Sequence, residues 1–566
     1  MNLALGRYGA AVDECVGQLT AAGAPGRVWQ RDVSFWGGDA ARKASVANRL
    51  GWLDVASLKR QRIGDIVGFA EEVRSAGHDD AVLLGMGGSS LAPEVLRRTF
   101  GRRDGWPTLH VLDTTDPAAI SAVERQIDPA RTLFFVSSKS GTTLEPLSLF
   151  RYFHERVRAA KHDRAGENFV GITDAGTPLQ DLAREHGFRH VFTNPGDIGG
   201  RYSALTYFGL VPSAVAGVDV RQLLDRGIAA AQDARLPQCD ALVLGAALGA
   251  LAARGRDKTT FITAPAIASF GLWVEQLLAE STGKLGRGVV PVVGEPLGSP
   301  DAYGDDRVFI ALRMRAEPAD DRAATVDALR AAGHPVITIE LDDAFDLGRE
   351  FVRWEFAVAI IGHVLDINPF DEPNVQESKD NTNRVLEDFA ATGVLDVQDI
   401  DADNGIVIVP APDQPAGRSL AQAVKHLLDG IAGGDYFAIT AYIQQTDASD
   451  DSCETMRRAV QRSRHCATTL GYGPRFLHST GQLHKGGPPH GLFLQITQRD
   501  PDDIAIPGVP YSFGQFKRAQ AIGDFEALIR HKRPVLRVHL AGNVDDGLAE
   551  LRRAVEDATR ARAGGE

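Results

Sequence analysis

Three short polar loops, each directly after a run of apolar β-forming residues, carry groups that suit an anion. They are GMGGSS at 85–90, SSKSGTT at 137–143 and GGRYSAL at 199–205. The first loop opens a helical segment, so its glycines let backbone N–H groups approach an anion at a helix N-terminus. The second loop supplies hydroxyls and one ammonium, from Ser138, Ser140, Thr142, Thr143 and Lys139. Together the loops predict a cradle for a small phosphate.

A carboxylate on the helical segment 267–284 is a candidate proton shuttle. Glu280 lies one helical turn after Gln276, beside a stripe of large apolar side chains. Apolar surroundings raise the pKa of a carboxyl group, which suits a base that must take up and return one proton. The alternative is an ordinary glutamate near a helix end.

Two cations are further candidates. Arg201 follows two glycines, which expose backbone amides and leave the guanidinium free to meet a negative ligand. Lys379 lies on the helix that follows the Pro-bounded turn of segment 368–379. A single lysine on a helix is ordinarily solvated, so position alone does not assign Lys379 a role.

A histidine-rich stretch occupies residues 476–491. It contains His478, His484, Lys485 and His490 in a Gly-rich context, and its six-residue histidine spacings do not fit a helical metal site. Either this loop reaches a substrate or it forms a polar surface hairpin. We expect no metal site.

Composition limits the class of protein. The 566 residues carry a formal charge of −13, which disfavours nucleic acid as a partner, and the cysteines are isolated in sequence. The longest apolar stretch, 241–253, is too short to cross a bilayer, and the first residues show no export signal. We expect a cytoplasmic protein that binds a small anionic metabolite and no membrane.

The chain alternates strand-like and helix-like segments, which predicts an α/β fold with doubly wound parallel sheets. Ligands of such sheets bind outside the carboxyl ends of the strands, where the first two loops fall. A turn-rich stretch at 392–405 precedes a third α/β block. The predicted division is a helical wrap at 1–60, a first domain at 61–235, a second at 236–390 and a C-terminal α/β domain at 391–566.

Five ordered motifs carry a family resemblance: GMGGSS, SSKSGTT, GGRYS, ESTGK and NPFDEPNVQESK. With them the chain resembles the phosphoglucose isomerases, which consist of two SIS domains, over about residues 50–390. The remainder resembles the isomerase half of bacterial transaldolase/glucose-6-phosphate isomerase fusions. The resemblance implies reversible conversion of glucose 6-phosphate into fructose 6-phosphate through a cis-enediol, without a cofactor, in a homodimer with shared sites.

The resemblance also implies roles for individual residues. Glu280 is the base that moves a proton between C2 and C1, with Gln276 in the same pocket. Arg201 stabilises the enediolate, and Lys379 assists ring opening. The substrate phosphate is held by Ser89, Ser138, Lys139, Ser140 and Thr143, with backbone amides around Gly88 and Gly200.

Two positions depart from the family pattern. Glu372 stands where the family has a glutamine, and the segment 294–307 lacks the histidine that opens the sugar ring in the family. Either Asp301 or a neighbouring carboxylate replaces that histidine, or His478 or His484 of the third block reaches the site. The glycine-polar-histidine character of STGQLH favours the histidines.

Three other functions are consistent with parts of the pattern. One is an isomerase for another hexose with an anion at C6, such as mannose 6-phosphate or a sulfonated sugar. A second is a non-catalytic SIS module that senses sugar phosphates, although a sensor needs no base. A third is a Rossmann dehydrogenase with Asp113 as the ribose acid, which Ser90 disfavours because it stands where the third glycine of that fingerprint belongs.

Overall fold

The computed structural model describes residues 1–318, 320–395, 400–402, 405–411 and 419–563. Three mostly parallel β-sheets, each flanked by helices, build the α/β fold that the sequence predicts. Parts of the predicted turn-rich stretch at 392–405, namely 396–399 and 403–404, lie outside the described residues. In the described part of the chain, no helix combines the length and apolar character needed to span a membrane.

The N-terminal segment is mainly helical, but it starts with a strand that the prediction of a helical wrap missed. This strand of three residues is too short to show a period, and it joins the edge of the second sheet in antiparallel register, with Leu3 opposite Ile337. The elements are β1 (Asn2–Ala4), α1 (Gly9–Ala21), α2 (Ala24–Trp29), α3 (Ala40–Ala47), α4 (Val55–Gln61) and α5 (Ile63–Ser75).

The first lobe is a five-stranded parallel sheet. Its central strands are buried on both faces, which explains why they read as continuous apolar runs. The elements are β2 (Asp80–Gly85), α6 (Leu91–Phe100), β3 (Thr108–Leu112), α7 (Pro117–Glu124), β4 (Thr132–Ser137), α8 (Leu144–Lys161), β5 (Phe169–Asp174), α9 (Pro178–Glu185) and β6 (His190–Asn194). The strand order is β3-β2-β4-β5-β6.

The second lobe repeats this architecture after three connecting helices. The elements are α10 (Tyr207–Val215), α11 (Val220–Asp233), α12 (Asp240–Ala252), β7 (Lys258–Thr263), α13 (Phe270–Thr282), β8 (Val290–Val292), β9 (Arg307–Met314), α14 (Asp321–Ala331), β10 (Val336–Leu341), α15 (Leu347–Val364) and α16 (Pro373–Thr392). The strand order is β1-β10-β9-β7-β8. Helix α13 is buried on almost every side, as its apolar surface requires.

The third block forms a sheet of its own, with four parallel and two antiparallel strands. The elements are β11 (Ile400–Ala402), β12 (Ile406–Pro410), α17 (Leu420–Asp429), β13 (Tyr436–Tyr442), α18 (Asp447–Arg464), β14 (Ala467–Tyr472), α19 (Gly481–Gly486), β15 (Gly491–Gln498), α20 (Phe513–Arg530), β16 (Val535–Leu540) and α21 (Val544–Ala563). The strand order is β11-β12-β16-β15-β13-β14. The expected hairpin or loop at 476–491 is instead a 3₁₀ turn followed by α19.

The third block docks on the second lobe through α19. The Gln482 side chain donates to the carbonyl of Gly283 (2.9 Å) and accepts from the backbone N–H of Asn374 (2.8 Å). A Cβ on Gly283 would lie 2.5 Å from the Cα of Leu483, so only glycine permits this approach of α13 to α19. The contact holds the histidine-rich stretch against the ends of α13 and α16.

Candidate active site

A cavity of about 380 Å³ opens between the first lobe and the third block. The loop after β4 forms one wall, the first turns of α16 form another, and α20 with the turn before α19 forms a third. Its polar lining comprises Ser140, Thr142, Thr143, Glu145, Gln376, Ser378, Lys379, Thr382, Asn383, His478 and Gln520. The cavity therefore brings the predicted hydroxyl loop, lysine and one predicted histidine to a common space.

The hydroxyl loop is ordered by its own hydrogen bonds. Ser138 Oγ lies 2.9 Å from Thr143 Oγ1, and Ser140 Oγ lies 2.9 Å from Thr142 Oγ1. Gly141 takes a positive φ of 71°, and its N–H donates to Ser138 Oγ (3.1 Å). The loop leads directly into the 18-residue helix α8, whose N-terminus favours an anion.

Three predicted phosphate ligands, Lys139, Ser89 and Ser138, are not among the described residues that line this cavity. Lys139 Nζ donates to Asp174 Oδ2 (2.5 Å) and to the carbonyl of Gly196 (3.3 Å), so the lysine ties the loop to the end of β5. Ser89 is buried, and its carbonyl accepts from Ser137 Oγ (3.1 Å). The hydroxyls therefore stay the stronger candidates for phosphate binding, with Lys379 as the cation that lines the cavity.

The glycines of the first loop, at 85–90, allow close contacts with other motifs of the sequence. A Cβ on Gly88 would lie 2.0 Å from the carbonyl oxygen of Gly200, and Ser203 Oγ donates to the Gly88 carbonyl (3.0 Å). Gly87, at φ 54°, faces His478 and Gln276, with no room for a side chain. The described residues that line the cavity do not include Gly88 or Gly200. These glycines bring the first and third motifs of the sequence together and place the first motif against α13 and the third block.

The Arg201 guanidinium lies at the centre of a buried network. It donates to Ser281 Oγ (2.6 Å), to Glu372 Oε2 (2.9 Å) and to two backbone carbonyls, those of Pro369 (2.8 Å) and Asp371 (2.9 Å). Its Nη1 also lies 3.4 Å from Glu280 Oε2. Arginine suits this place because its planar group donates in several directions at once.

Burial and charge set the ionisation of this network. Burial raises the pKa of Glu280 to about 7, and the nearby Glu372 carboxylate contributes to this rise. The Arg201 cation acts in the opposite direction and lowers the pKa. Burial also acts to raise the pKa of Glu372, but its hydrogen-bonded Arg201 brings that pKa below the usual value. Of the two carboxylates on one guanidinium, Glu372 is thus the ionised partner and Glu280 the one that exchanges a proton near neutral pH.

A buried lysine fixes the turn that carries Glu372. Lys284 Nζ donates to the carbonyl of Asn368 (2.5 Å), to the Asp371 carboxylate (2.6 Å) and to the Asp371 carbonyl. Burial, together with the neighbouring Arg201, lowers the pKa of Lys284 to about 8. The ESTGK motif thereby positions both Glu280 and the turn before α16.

His478 joins the cavity to α13. Gln276 Nε2 donates to the His478 carbonyl (2.7 Å), and the His478 ring lies close enough to Glu280 to lower that carboxyl's pKa. His478 Nε2 lies 2.8 Å from Glu145 Oε1, which also accepts from Gln520 Nε2 (2.8 Å). Burial works to raise the pKa of Glu145, but His478 brings it below the usual value.

Sequence reasoning missed Glu145 and Gln520. Glu145 has one local signal, since it follows the hydroxyl loop as an acid in the first turn of a helix. Gln520 has none, because α20 lies 375 positions further along the chain. Glu145 orients the imidazole of His478, Gln520 holds Glu145 in place, and both residues occupy the cavity wall.

The other proposed replacements for the missing histidine lie elsewhere. His484 is enclosed by the rings of Phe476 and Phe493, and burial near Lys485 and Arg533 holds its pKa well below the usual value. Such a group remains neutral and out of reach of a substrate in the cavity. Asp301 lies in the 3₁₀ turn before β9, where its carbonyl faces His465 Nδ1 at 2.9 Å. Among these alternatives only His478 lines the cavity.

Asp113 has a structural partner. Its carboxylate receives two hydrogen bonds from Arg475, each 2.7 Å long, and Ser90 Oγ lies 3.4 Å away. This bidentate pair ties β3 to the third block. Asp113 is therefore not free to bind a ribose, which disfavours the dehydrogenase interpretation.

Comparison with known proteins assigns the class. The family model described as phosphoglucose isomerase matches residues 59–285, the part of the chain that holds the first four motifs. The paired lobes and this match define a sugar isomerase of the α/β type. Among solved structures, a hypothetical protein from Thermus thermophilus has a TM-score of 0.56 at 25% identity and covers 68% of this chain and 99% of its own.

Curated relatives narrow the class to one family. A glucose-6-phosphate isomerase from Rubrobacter xylanophilus is 30% identical over 362 residues, which is 55% of this chain and 83% of the relative. A probable glucose-6-phosphate isomerase from Haloarcula marismortui is 31% identical over 361 residues, 56% of this chain and 81% of the relative. The chain belongs to the phosphoglucose isomerase family.

Proposed function

We propose that this protein interconverts glucose 6-phosphate and fructose 6-phosphate. One observation carries the proposal: a buried glutamate with a pKa near 7 is paired with a buried arginine, and it interacts with His478, which lines a cavity together with hydroxyls and a lysine. Such a site can anchor a phosphate at one end and move a carbon-bound proton at the other. The names of the two curated relatives support the same reaction.

The proposed mechanism assigns one task to each part of the cavity. Ser140 and Thr143, with Ser138 behind them, bind the phosphate at the N-terminus of α8. Anchoring this remote group supplies binding energy that orients C1 and C2. Lys379 and His478 face the sugar oxygens and assist ring opening, with Glu145 as the group that orients His478.

Glu280 is the proposed base. It removes the proton from C2 of the open-chain aldose and returns it to C1, so the reaction passes through a cis-enediol and needs no cofactor. Arg201 keeps its positive charge, because the facing carboxylates raise its pKa above the ordinary value although burial opposes this. With most of its N–H groups already engaged, Arg201 stabilises the enediolate through its fixed charge.

The third block supplies His478 from within the same chain. The homodimer, the cytoplasmic location and the stated domain boundaries remain predictions from the sequence. The cavity lining within the described residues already combines the first lobe, the second lobe and the third block of one chain.

A kinetic screen tests the proposed substrate. We expect the highest kcat/KM for glucose 6-phosphate and fructose 6-phosphate, measured with purified protein in coupled assays. Mannose 6-phosphate and glucose with a sulfonate at C6 are the comparison substrates, because both carry an anion at C6. A higher kcat/KM with either of them would reject the proposal, and no turnover of any hexose would favour a sensor.

The pH dependence of kcat/KM should follow Glu280. A base must be ionised, so activity is expected to rise with pH through about 7, where Glu280 loses its proton. In Glu372→Gln a negative charge beside Glu280 is removed, so the pKa of Glu280 falls and the acid limb moves down by about one pH unit. Glu387→Gln, an exposed change on the same helix, should leave the profile unchanged. An unshifted acid limb in Glu372→Gln would contradict the assignment.

Replacement of His478 should slow turnover without unfolding the chain. We expect His478→Asn to lower kcat by about 100-fold, as removal of a general acid or base does. His490→Asn is the matched control, because His490 lies in the same stretch with 48% of its side chain exposed and should turn over normally. His484→Gln should reduce stability but not kcat per folded molecule. Normal turnover of His478→Asn would exclude His478 from the mechanism.

A further inference from the structure

A second cavity, of about 400 Å³, lies between the end of α16 and the third block. It opens at the carboxyl ends of β13 and β15 and beside β16, the edge at which doubly wound sheets bind ligands. Among the described residues, its lining shares no member with that of the candidate active site. The proposed isomerisation leaves this cavity without a role.

Basic groups dominate the polar wall of the second cavity. They are Arg499, Lys517, Arg518 and Arg537, beside the imidazole of His539, which is neutral near pH 7. The lining also holds two acids, Asp500 and Asp503. The concentration of positive groups is unusual for a chain whose formal charge is −13. A small region of opposite sign in an acidic protein attracts anions.

The two acids are engaged by neighbouring groups. Asp500 accepts from Lys517 Nζ (2.6 Å), a buried amine that also donates to Asp116 (2.7 Å). The Asp503 carboxylate accepts from the Gly514 N–H (2.7 Å) and from Ser512 Oγ, so it fixes the start of α20. Neither acid pairs with an arginine of the cavity within the described residues.

Two arginines remain uncompensated. Arg499 and Arg518 are exposed at the cavity, and neither makes an ion pair with any residue that the structure describes. His539 lies on strand β16 of the sheet, with Nδ1 3.0 Å from Thr497 Oγ1 of the neighbouring strand β15. Burial is the main cause that lowers the pKa of His539 to about 4, and the nearby cations of Arg518, Arg537 and Lys517 lower it as well. The pKa of this histidine therefore reflects the positive charge around the cavity.

The wall of this cavity also has an apolar side. Phe389, Leu395, Val409 and Ile522 line it opposite the basic groups. A cavity of this volume with an apolar side and convergent cations is typical of a small-molecule site. Inorganic ions alone would leave the apolar side unused.

We propose that the cavity formed by β13, β15, β16, α16 and α20 is a second binding site, which takes a small phosphorylated metabolite. Arg499 and Arg518 bind its phosphate, and the side chains of Phe389 and Ile522 contact its carbon skeleton. Helices α16 and α20 border both cavities, since they also carry Lys379 and Gln520 of the candidate active site.

Titration calorimetry of the full chain with pyrophosphate tests the site. Pyrophosphate also fits the hydroxyl loop, so wild type is expected to show two binding events. Arg499→Ala with Arg518→Ala should weaken one event by about tenfold or more, since charged hydrogen bonds to the anion are lost. Ser140→Ala with Thr142→Ala should weaken the other. The arginine variant should keep its kcat/KM, because neither arginine lies in the active-site cavity.

A charge-matched control separates a site from general attraction. Arg458→Ala with Arg462→Ala removes two exposed positive charges from α18, away from the cavity, and should bind pyrophosphate as wild type does. Two results would overturn the proposal. One is unchanged pyrophosphate binding in the Arg499/Arg518 variant, and the other is an equal loss in the Arg458/Arg462 control. The result does not depend on the isomerase assignment, because it is read from binding.

Discussion

Glu280→Gln is expected to lower kcat by about 1000-fold or more while the chain stays folded. Glutamine keeps the size of the side chain and its contact with Arg201, but it cannot accept a proton from carbon. Assays with fructose 6-phosphate, scaled to the folded fraction seen by circular dichroism, measure the effect. Turnover close to wild type would show that another group is the base.

The same variant should be more stable at alkaline pH. The folded-state pKa of Glu280 is about 7, above the ordinary glutamate value of 4.5, so the native chain binds one more proton than the unfolded chain between these pH values. Stability contributed by this protonated carboxyl is therefore lost as pH rises from 4.5 through 7. Glu280→Gln removes this loss, so its free energy of unfolding at pH 8 should exceed that of wild type by at most about 3 kcal/mol. Urea unfolding at pH 5 and pH 8 measures it.

Glu275→Gln is the matched control for the turnover measurement. Glu275 lies on the same helix, and burial raises its pKa to about 7 as well, but it lines a different cavity, near Arg457 and Arg475. The control should keep its kcat within about twofold, since surface and non-contact changes are usually mild. Loss of turnover in both variants would point to a disturbed helix rather than a lost base.

Arg201→Ala is expected to reduce kcat by about 100- to 1000-fold, the usual effect of losing a fixed charge beside a developing oxyanion. The remaining activity should also need a higher pH. Arg201 opposes the rise in the pKa of Glu280, so its removal raises that pKa further. A pH–rate profile of the variant with fructose 6-phosphate measures both effects.

A second substitution separates catalysis from stability. Arg201→Ala leaves Glu280 and Glu372 without their buried partner, which destabilises the fold by about 3–5 kcal/mol. Adding Glu372→Gln removes one of the two stranded carboxylates, so the double variant should recover stability but not turnover. Recovery of turnover in the double variant would mean that Arg201 acts only by neutralising Glu372.

The sequence predicted much of the fold because strand signals in both lobes are strong. The central strands of both lobes are apolar runs buried on both faces, whereas the outer strands β3 and β6 of the first sheet are only partly buried. β1 has three residues, and the small and polar residues of β14 give a weak pattern. α19 could not be predicted, because a six-residue segment with glycine at both ends is helical here through the contacts of its Gln482 side chain with Gly283 and Asn374.

The sequence predicts those residues of the candidate site that lie in short motifs. The loop hydroxyls, Glu280 and Arg201 lie in motifs whose spacing is visible in the sequence, and their roles remain predictions that the variants above test. The sequence does not predict where the Lys139 side chain points, because its amine binds Asp174 at the end of the next strand. The choice between His478 and His484 depends likewise on packing, since both lie in one short segment and only tertiary contacts bury His484.

Isomerisation in D₂O tests the central claim, that Glu280 carries a proton between C2 and C1. A carboxyl beside an open cavity exchanges its proton with solvent in a fraction of turnovers. Wild type should therefore place deuterium at C1 of fructose 6-phosphate made from glucose 6-phosphate, observed by proton NMR, and Glu280→Gln should place none. Deuterium incorporation by Glu280→Gln at the wild-type rate would contradict the account.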